Sequence, residues 1–203
     1  MMHIYRFLPR TGAEGPGIRA CIWVSGCQHG CKGCFAKHTW DIEAGEKVSV
    51  EEVVSRLDKV MDEIDGITFL GGEPFDQAQD LAKVASYVKA KGKNVISFSG
   101  YTYEELLADD EKNVLLKETD LLCDGPYIEQ LTDYSRPLLG SKNQRFIFLT
   151  DQISKEDMEN YHNCLEIRVK KNGQTEINGM GDIEKLRESL GKELGKENGL
   201  LHI

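Results

Sequence analysis

The sequence contains no apolar run near the ~18 residues that a membrane-spanning helix needs, so no bilayer span is expected. Its opening residues, Met1-Met2-His3-Ile4-Tyr5-Arg6, lack the apolar core and cleavage site of a secretory signal, which makes a cytoplasmic location the expectation. Cations are in deficit. Against 34 Asp and Glu stand 25 Lys and Arg, for a net charge of −9. Contacts to phosphates need clustered Lys and Arg, so this balance argues against a nucleic-acid partner. No segment repeats, and none is of low complexity. At 203 residues, 40% hydrophobic and 29% charged, the chain can bury one sizeable core, with room for a small appendage.

Also missing is a second Cys-x-x-Cys pair. Of six cysteines, Cys21, Cys123 and Cys164 stand alone in apolar stretches and are expected in the core. In a reducing compartment, thiols read as ligands or buried small hydrophobes rather than disulfides. The other three, Cys27, Cys31 and Cys34, share one short loop that ends on the aromatic Phe35. Gly26, Gly30 and Gly33 let that loop curl around a bound centre. Soft sulfur ligands select zinc, monovalent copper or an iron–sulfur cluster. A structural zinc site wants four protein ligands, which His29 or His38 would have to complete. Cubane clusters are commonly held by four cysteines, so a set of three leaves one iron with an open position. A reactive cluster is the preferred reading, and a zinc clasp is the alternative.

Taken in order, Gly15-Pro16-Gly17 is a turn, and Arg19 to Ser25 is a buried strand that delivers the cysteine loop at its carboxyl end. Ser49-x-x-Glu52 caps a helix whose apolar face carries Val50, Val53, Val54, Leu57, Met61 and Ile64. A second strand, Gly66 to Leu70, runs into Gly71-Gly72-Glu73-Pro74. A helix from Gln77 to Lys91 precedes the strand Val95 to Ser99, in which Ser97 and Ser99 are expected to share a face. Thr102-x-x-Glu105 opens a third helix, and the strands Asp120 to Asp124 and Arg145 to Leu149 follow. Strands alternating with amphipathic helices predict an α/β fold with a parallel sheet and right-handed crossovers. There are too few units to close an eight-stranded barrel, so residues 1–150 are expected to form a partial, open βα barrel. Residues 151–203 form an extension packed on that core: a β-hairpin turning at Asn172-Gly173, then a last helix with Ile183, Leu186, Leu190 and Leu194.

The spacing Cys27-x3-Cys31-x2-Cys34 with its trailing aromatic, together with Gly71-Gly72-Glu73, resembles the radical S-adenosylmethionine superfamily. Gly-Pro-Gly-Ile-Arg19, Thr39-Trp40-Asp41, Gly100-Tyr101, Asp124-Gly125 and Gly140-Ser-Lys-Asn-Gln144 resemble its glycyl-radical activating members, above all those serving anaerobic ribonucleoside-triphosphate reductase. The resemblance spans residues 12–149 and stops at the hairpin. It implies a 4Fe-4S cluster on Cys27, Cys31 and Cys34, with S-adenosylmethionine on the open iron. Gly71, Gly72 and Glu73 would orient the amino group of that ligand, and Phe35 would shield cluster and adenine. Ser97, Ser99 and Asp124 would complete the cofactor-binding set. It further implies one-electron cleavage to a 5′-deoxyadenosyl radical, hydrogen abstraction from a glycine of a large partner enzyme, and a flavodoxin or ferredoxin as electron donor. A radical maturase of a peptide or metabolite would share these cofactor residues. A non-catalytic iron–sulfur or zinc module would need only the cysteines.

Overall fold

A computed structural model describes residues 1–181. The chain enters on β1 (Met2–Thr11), a strand that the residue pattern hides. Register shifts between Ile4 and Arg6 and between Leu8 and Thr11 break its alternation, and Pro9 offers no ladder donor. Next come β2 (Arg19–Val24), the short β3 (Glu46–Val48), α1 (Val50–Asp58) and β4 (Gly66–Gly71). They are followed by α2 (Ala78–Ala90), β5 (Asn94–Phe98), α3 (Tyr103–Ala108), α4 (Asp110–Leu116), β6 (Leu121–Asp124) and β7 (Arg145–Phe148). The described chain closes with α5 (Lys155–Asn160) and the hairpin β8 (Leu165–Val169) and β9 (Thr175–Gly179).

One sheet has the order β3-β1-β2-β4-β5-β6-β7. Its centre, β2-β4-β5-β6, is parallel, as the βα alternation requires. The margins are not. β1 runs antiparallel to β2 and β3, and β7 runs antiparallel to β6, which corrects the expectation of a wholly parallel sheet. The reason lies in the connections: parallel neighbours need a crossover, usually a helix. The β6–β7 link carries only a 3-10 turn at Glu129–Leu131 and returns along the same end of the sheet.

One face of the sheet buries Ile22, Phe69, Val95 and Leu122 against Leu57 of α1, Leu81 and Val84 of α2 and Leu115 of α4. On the opposite face a smaller core of Ile96, Leu121 and Cys123 is covered by Leu138, Leu139, Ile153 and Met158. Each large side chain so buried contributes about 1.5–3 kcal/mol. Arg19 is the largest side chain without exposure. Its Nε donates to Thr68 Oγ1 (2.7 Å), while Nη2 and Nη1 donate to the carbonyls of Ile67 (2.7 Å) and Pro16 (3.1 Å). This guanidinium pins the Gly15–Gly17 turn to β4. A Cβ on Gly15, at φ +132°, would come within 2.9 Å of Arg19 Cδ.

Several local expectations shift. The first helix ends at Asp58, so Met61 lies in a 3-10 turn and Ile64 beyond it, both still buried. The third helix is broken in two at Asp109, whose carboxylate accepts from the Glu111 and Lys112 amides to start α4. Cys21 and Cys123 are buried, but Cys164 is exposed: it stands just before the hairpin, outside both cores. The hairpin turns at Asn172-Gly173, with Gly173 at φ +86°. The expected last helix, with Ile183, Leu186, Leu190 and Leu194, lies outside the described residues. Among those described, no helix is long and apolar enough to cross a membrane.

Candidate metal and cofactor site

The carboxyl ends of β2, β4 and β5 carry three loops that meet in one place. Gly26 N donates to Thr39 O and Cys27 N to Trp40 O, which closes the cysteine loop at its base. The β4 loop is sewn to it: Gly72 N donates to Val24 O and Glu73 N to Gly26 O, both at 2.8 Å. A Cβ on Gly72 would fall 2.4 Å from Gly26 O, and one on Gly71, at φ +104°, would fall 2.7 Å from Val24 O. The glycine pair is therefore demanded by the approach of two backbones, before any ligand is considered.

Glu73 is fully buried. Its Oε1 accepts from Phe75 N (2.9 Å) and Ser99 Oγ (3.0 Å), and its Oε2 from Gly100 N (2.7 Å) and His29 Nε2 (3.1 Å). The carboxylate is thus a hub that joins the cysteine loop to the ends of β4 and β5. His29 packs edge-on to Tyr101 (4.4 Å), and its hydrogen bond to Glu73 raises its pKa. This nitrogen is committed, which weakens His29 as a zinc ligand. His38 stacks on Tyr5 at 4.8 Å, and burial lowers its pKa.

Cys27, Cys31 and Cys34 line a cavity of about 390 Å³, together with Gly71, Gly72 and Glu73. Small-molecule sites commonly occupy about 300–1,000 Å³. Burial pushes the Cys27 thiol up to about 11 and raises that of Cys31, so binding a metal centre would displace protons. Among the described residues, no three His, Cys, Asp or Glu side chains are grouped tightly enough to hold one metal ion. Cys27, Cys31 and Cys34 are free and line one cavity, a soft sulfur donor set of the kind that holds an iron–sulfur cluster.

Phe35 sits at the rim, 59% exposed, with its ring 6.0 Å from Tyr127 and 5.9 Å from Tyr134. Ser99 reaches the cavity. Ser97 does not: β5 ends at Phe98, and strand alternation turns Ser97 to the helix face, where it bonds Thr119 Oγ1 at 2.9 Å. Asp124 is likewise spent in structure. Its buried carboxylate accepts from Tyr103 N (2.7 Å) and Arg145 Nε (3.0 Å), away from the cavity.

Other residues of the site escaped sequence reasoning. The hub role of His29 was hidden, since nothing in the pattern says that it faces Glu73. Glu14 lines the far end of the cavity, buried, its Oε1 accepting from Gly179 N (2.7 Å) and Asn178 Nδ2 (3.4 Å). Burial pushes its pKa up to about 7. A lone acid set beside Gly15-Pro16-Gly17 was the one available signal. Ile177 and Met180 also face the cavity, a contribution of the hairpin that only the tertiary structure reveals.

Residues 13–147 match the family model described as a 4Fe-4S single cluster domain. The chain is 32% identical over 163 residues to the anaerobic ribonucleoside-triphosphate reductase-activating protein of Enterobacteria phage T4, covering 77% of this chain and all of that protein. The proteins of the same description from Vibrio cholerae and Escherichia coli are each 31% identical over 150 residues, covering 70% of this chain and 96% of theirs. On this similarity, and on the extent of the cluster-domain match, the chain belongs to the family of anaerobic ribonucleoside-triphosphate reductase-activating proteins with a 4Fe-4S single cluster domain.

Proposed function

We propose that this protein is a radical S-adenosylmethionine enzyme that installs a glycyl radical in an anaerobic ribonucleoside-triphosphate reductase. The observation that carries the reading is the meeting of Cys27, Cys31 and Cys34 with Gly71-Gly72-Glu73 on one cavity, in a chain whose relatives are named as activators of that reductase. When bound, the cluster and S-adenosylmethionine supply a one-electron cleavage of the sulfonium, whose balance is methionine, 5′-deoxyadenosine and a partner glycine short of one Cα hydrogen.

The chain's own residues do the positioning. The carbonyls of Gly71 and Gly72 are acceptors suited to the ligand's ammonium. Glu73 acts by fixing the three loops relative to one another rather than by lending a free carboxylate, because all four of its hydrogen bonds come from the chain itself. Phe35, Tyr127 and Tyr134 form an aromatic cluster on the same cavity as the thiols. In this reading residues 1–150 form a partial barrel that opens at its margins to a protein loop. The reading takes a reducing cytoplasm as its setting and a flavodoxin or ferredoxin as its electron source, and the free thiols suit such a compartment.

Anaerobic reconstitution with iron and sulfide, followed by electron paramagnetic resonance of the reduced protein, tests this. A cluster signal that shifts on adding S-adenosylmethionine is the expected result, and a Cys31→Ala protein should lose it. A wild-type protein that took up zinc and formed no cluster would overturn the reading.

A further inference from the structure

We infer that the β8–β9 hairpin is the outer wall of the passage by which a partner's glycine reaches the site, with Ile177 and Met180 setting its width. The inference rests on the glycine-directed chemistry proposed above. Ile177 and Met180 line the same cavity as the three cysteines. The hairpin is held in place rather than merely adjacent. Asn178, itself buried, donates to Thr11 Oγ1 (3.0 Å) and to Glu14 (3.4 Å), and Gly179 N donates to Glu14 (2.7 Å). Further along, Arg168 donates to the carbonyl of Arg10 (2.6 Å), and Arg6 pairs with Glu176 (3.1 Å). The hairpin itself, though not its anchors on β1 and Glu14, lies beyond residue 147, where the match to the family model ends.

The chemistry of this half of the cavity favours an occupant. Trp23, Leu70, Ile177 and Met180 give it apolar sides. Its charged groups are already engaged: Arg6 with Glu176, and Glu14 with the Asn178–Gly179 turn. Among the described residues, Arg6 is the one Arg or Lys lining the cavity, and its pairing with Glu176 disfavours a phosphate or a carboxylate there. An extended, uncharged peptide strand suits such walls. Such a strand would carry its glycine past Ile177 and Met180 with no side chain to clear.

The test uses the full-length, cluster-reconstituted protein. The probe is a fluorescent synthetic peptide copied from the glycine-bearing loop of the source organism's anaerobic ribonucleoside-triphosphate reductase, read by anisotropy. Ile177→Trp and Met180→Trp should each weaken peptide binding by at least about tenfold. Lys171→Ala, in the exposed hairpin turn, should bind as wild type does. Ile177→Ala should gain affinity for a peptide with alanine in place of the glycine, a gain that a disrupted hairpin would not give. Unchanged binding in both Trp variants, or a wild-type protein that ignores the peptide, overturns the inference. The resonance shift with S-adenosylmethionine, recorded on the same samples, reports separately on the proposed chemistry. Its absence would strike that chemistry, whereas an intact shift beside unchanged peptide binding would strike the wall alone.

Discussion

Glu73 receives four hydrogen bonds with no exposure to solvent, so a neutral replacement leaves buried donors short of an acceptor. Glu73→Gln should cost about 2–3 kcal/mol in chemical denaturation, because bonds to a charged acceptor are the strong ones. Ser97→Ala should behave differently. It removes one bond to Thr119 on the helix face and should cost about 1 kcal/mol, with no change in S-adenosylmethionine affinity by titration calorimetry. Glu14 adds a pH dependence. Burial raises its pKa from 4.5 to about 7, so between those values the folded state holds a proton that the unfolded chain has released. Its contribution is therefore fully present below pH 4.5 and is lost as the pH rises through 7. Relative to wild type, Glu14→Gln should gain about 3 kcal/mol of stability between pH 5 and 8 in parallel urea melts, as the charged state is no longer formed. Equal slopes in the two proteins would refute the assignment.

At the level of elements, the caps and the glycine pair were legible because each acts within a few residues. Thr102 and Ser154 make full capping boxes, with Glu105 and Asp157. Ser49 makes only half of one, since Glu52 turns instead to Arg56 at 2.6 Å. The break at Asp109 was not legible: a helical run of apolar spacing does not reveal where a carboxylate will start a second helix. Asp109→Ala should destabilise the protein by about 1 kcal/mol through the lost cap, as thermal melts would show. β1 was hidden by its bulges and by Pro9, and the direction of β7 by a link whose length alone does not set its course. Ser97 was misplaced for a related reason, since alternation was carried one residue past the end of the strand.

For the molecule as a whole, the parallel centre followed from the order of elements, while the antiparallel margins depend on tertiary closure. Stability should follow the same division. In hydrogen exchange, the amides of β2, β4 and β5 should be the last to exchange, being paired on both sides and covered by helices. Those of β8 and β9 should exchange earlier, because that two-stranded sheet pairs only with itself. Simultaneous exchange of the hairpin and the central strands would show that the hairpin unfolds only with the core.

The stitching of Gly72 to Val24 and of Glu73 to Gly26 has a practical corollary for anyone wishing to transplant this centre. The eight residues from Cys27 to Cys34 are not a portable cassette. Their curvature is dictated by a neighbouring strand end that arrives more than forty residues later along the chain and by a histidine clasped from below. A host scaffold would have to supply two adjacent parallel strands, a side-chain-free crossing between them and a sunken acid beneath. Without these, the same thiols would form an ordinary flexible loop.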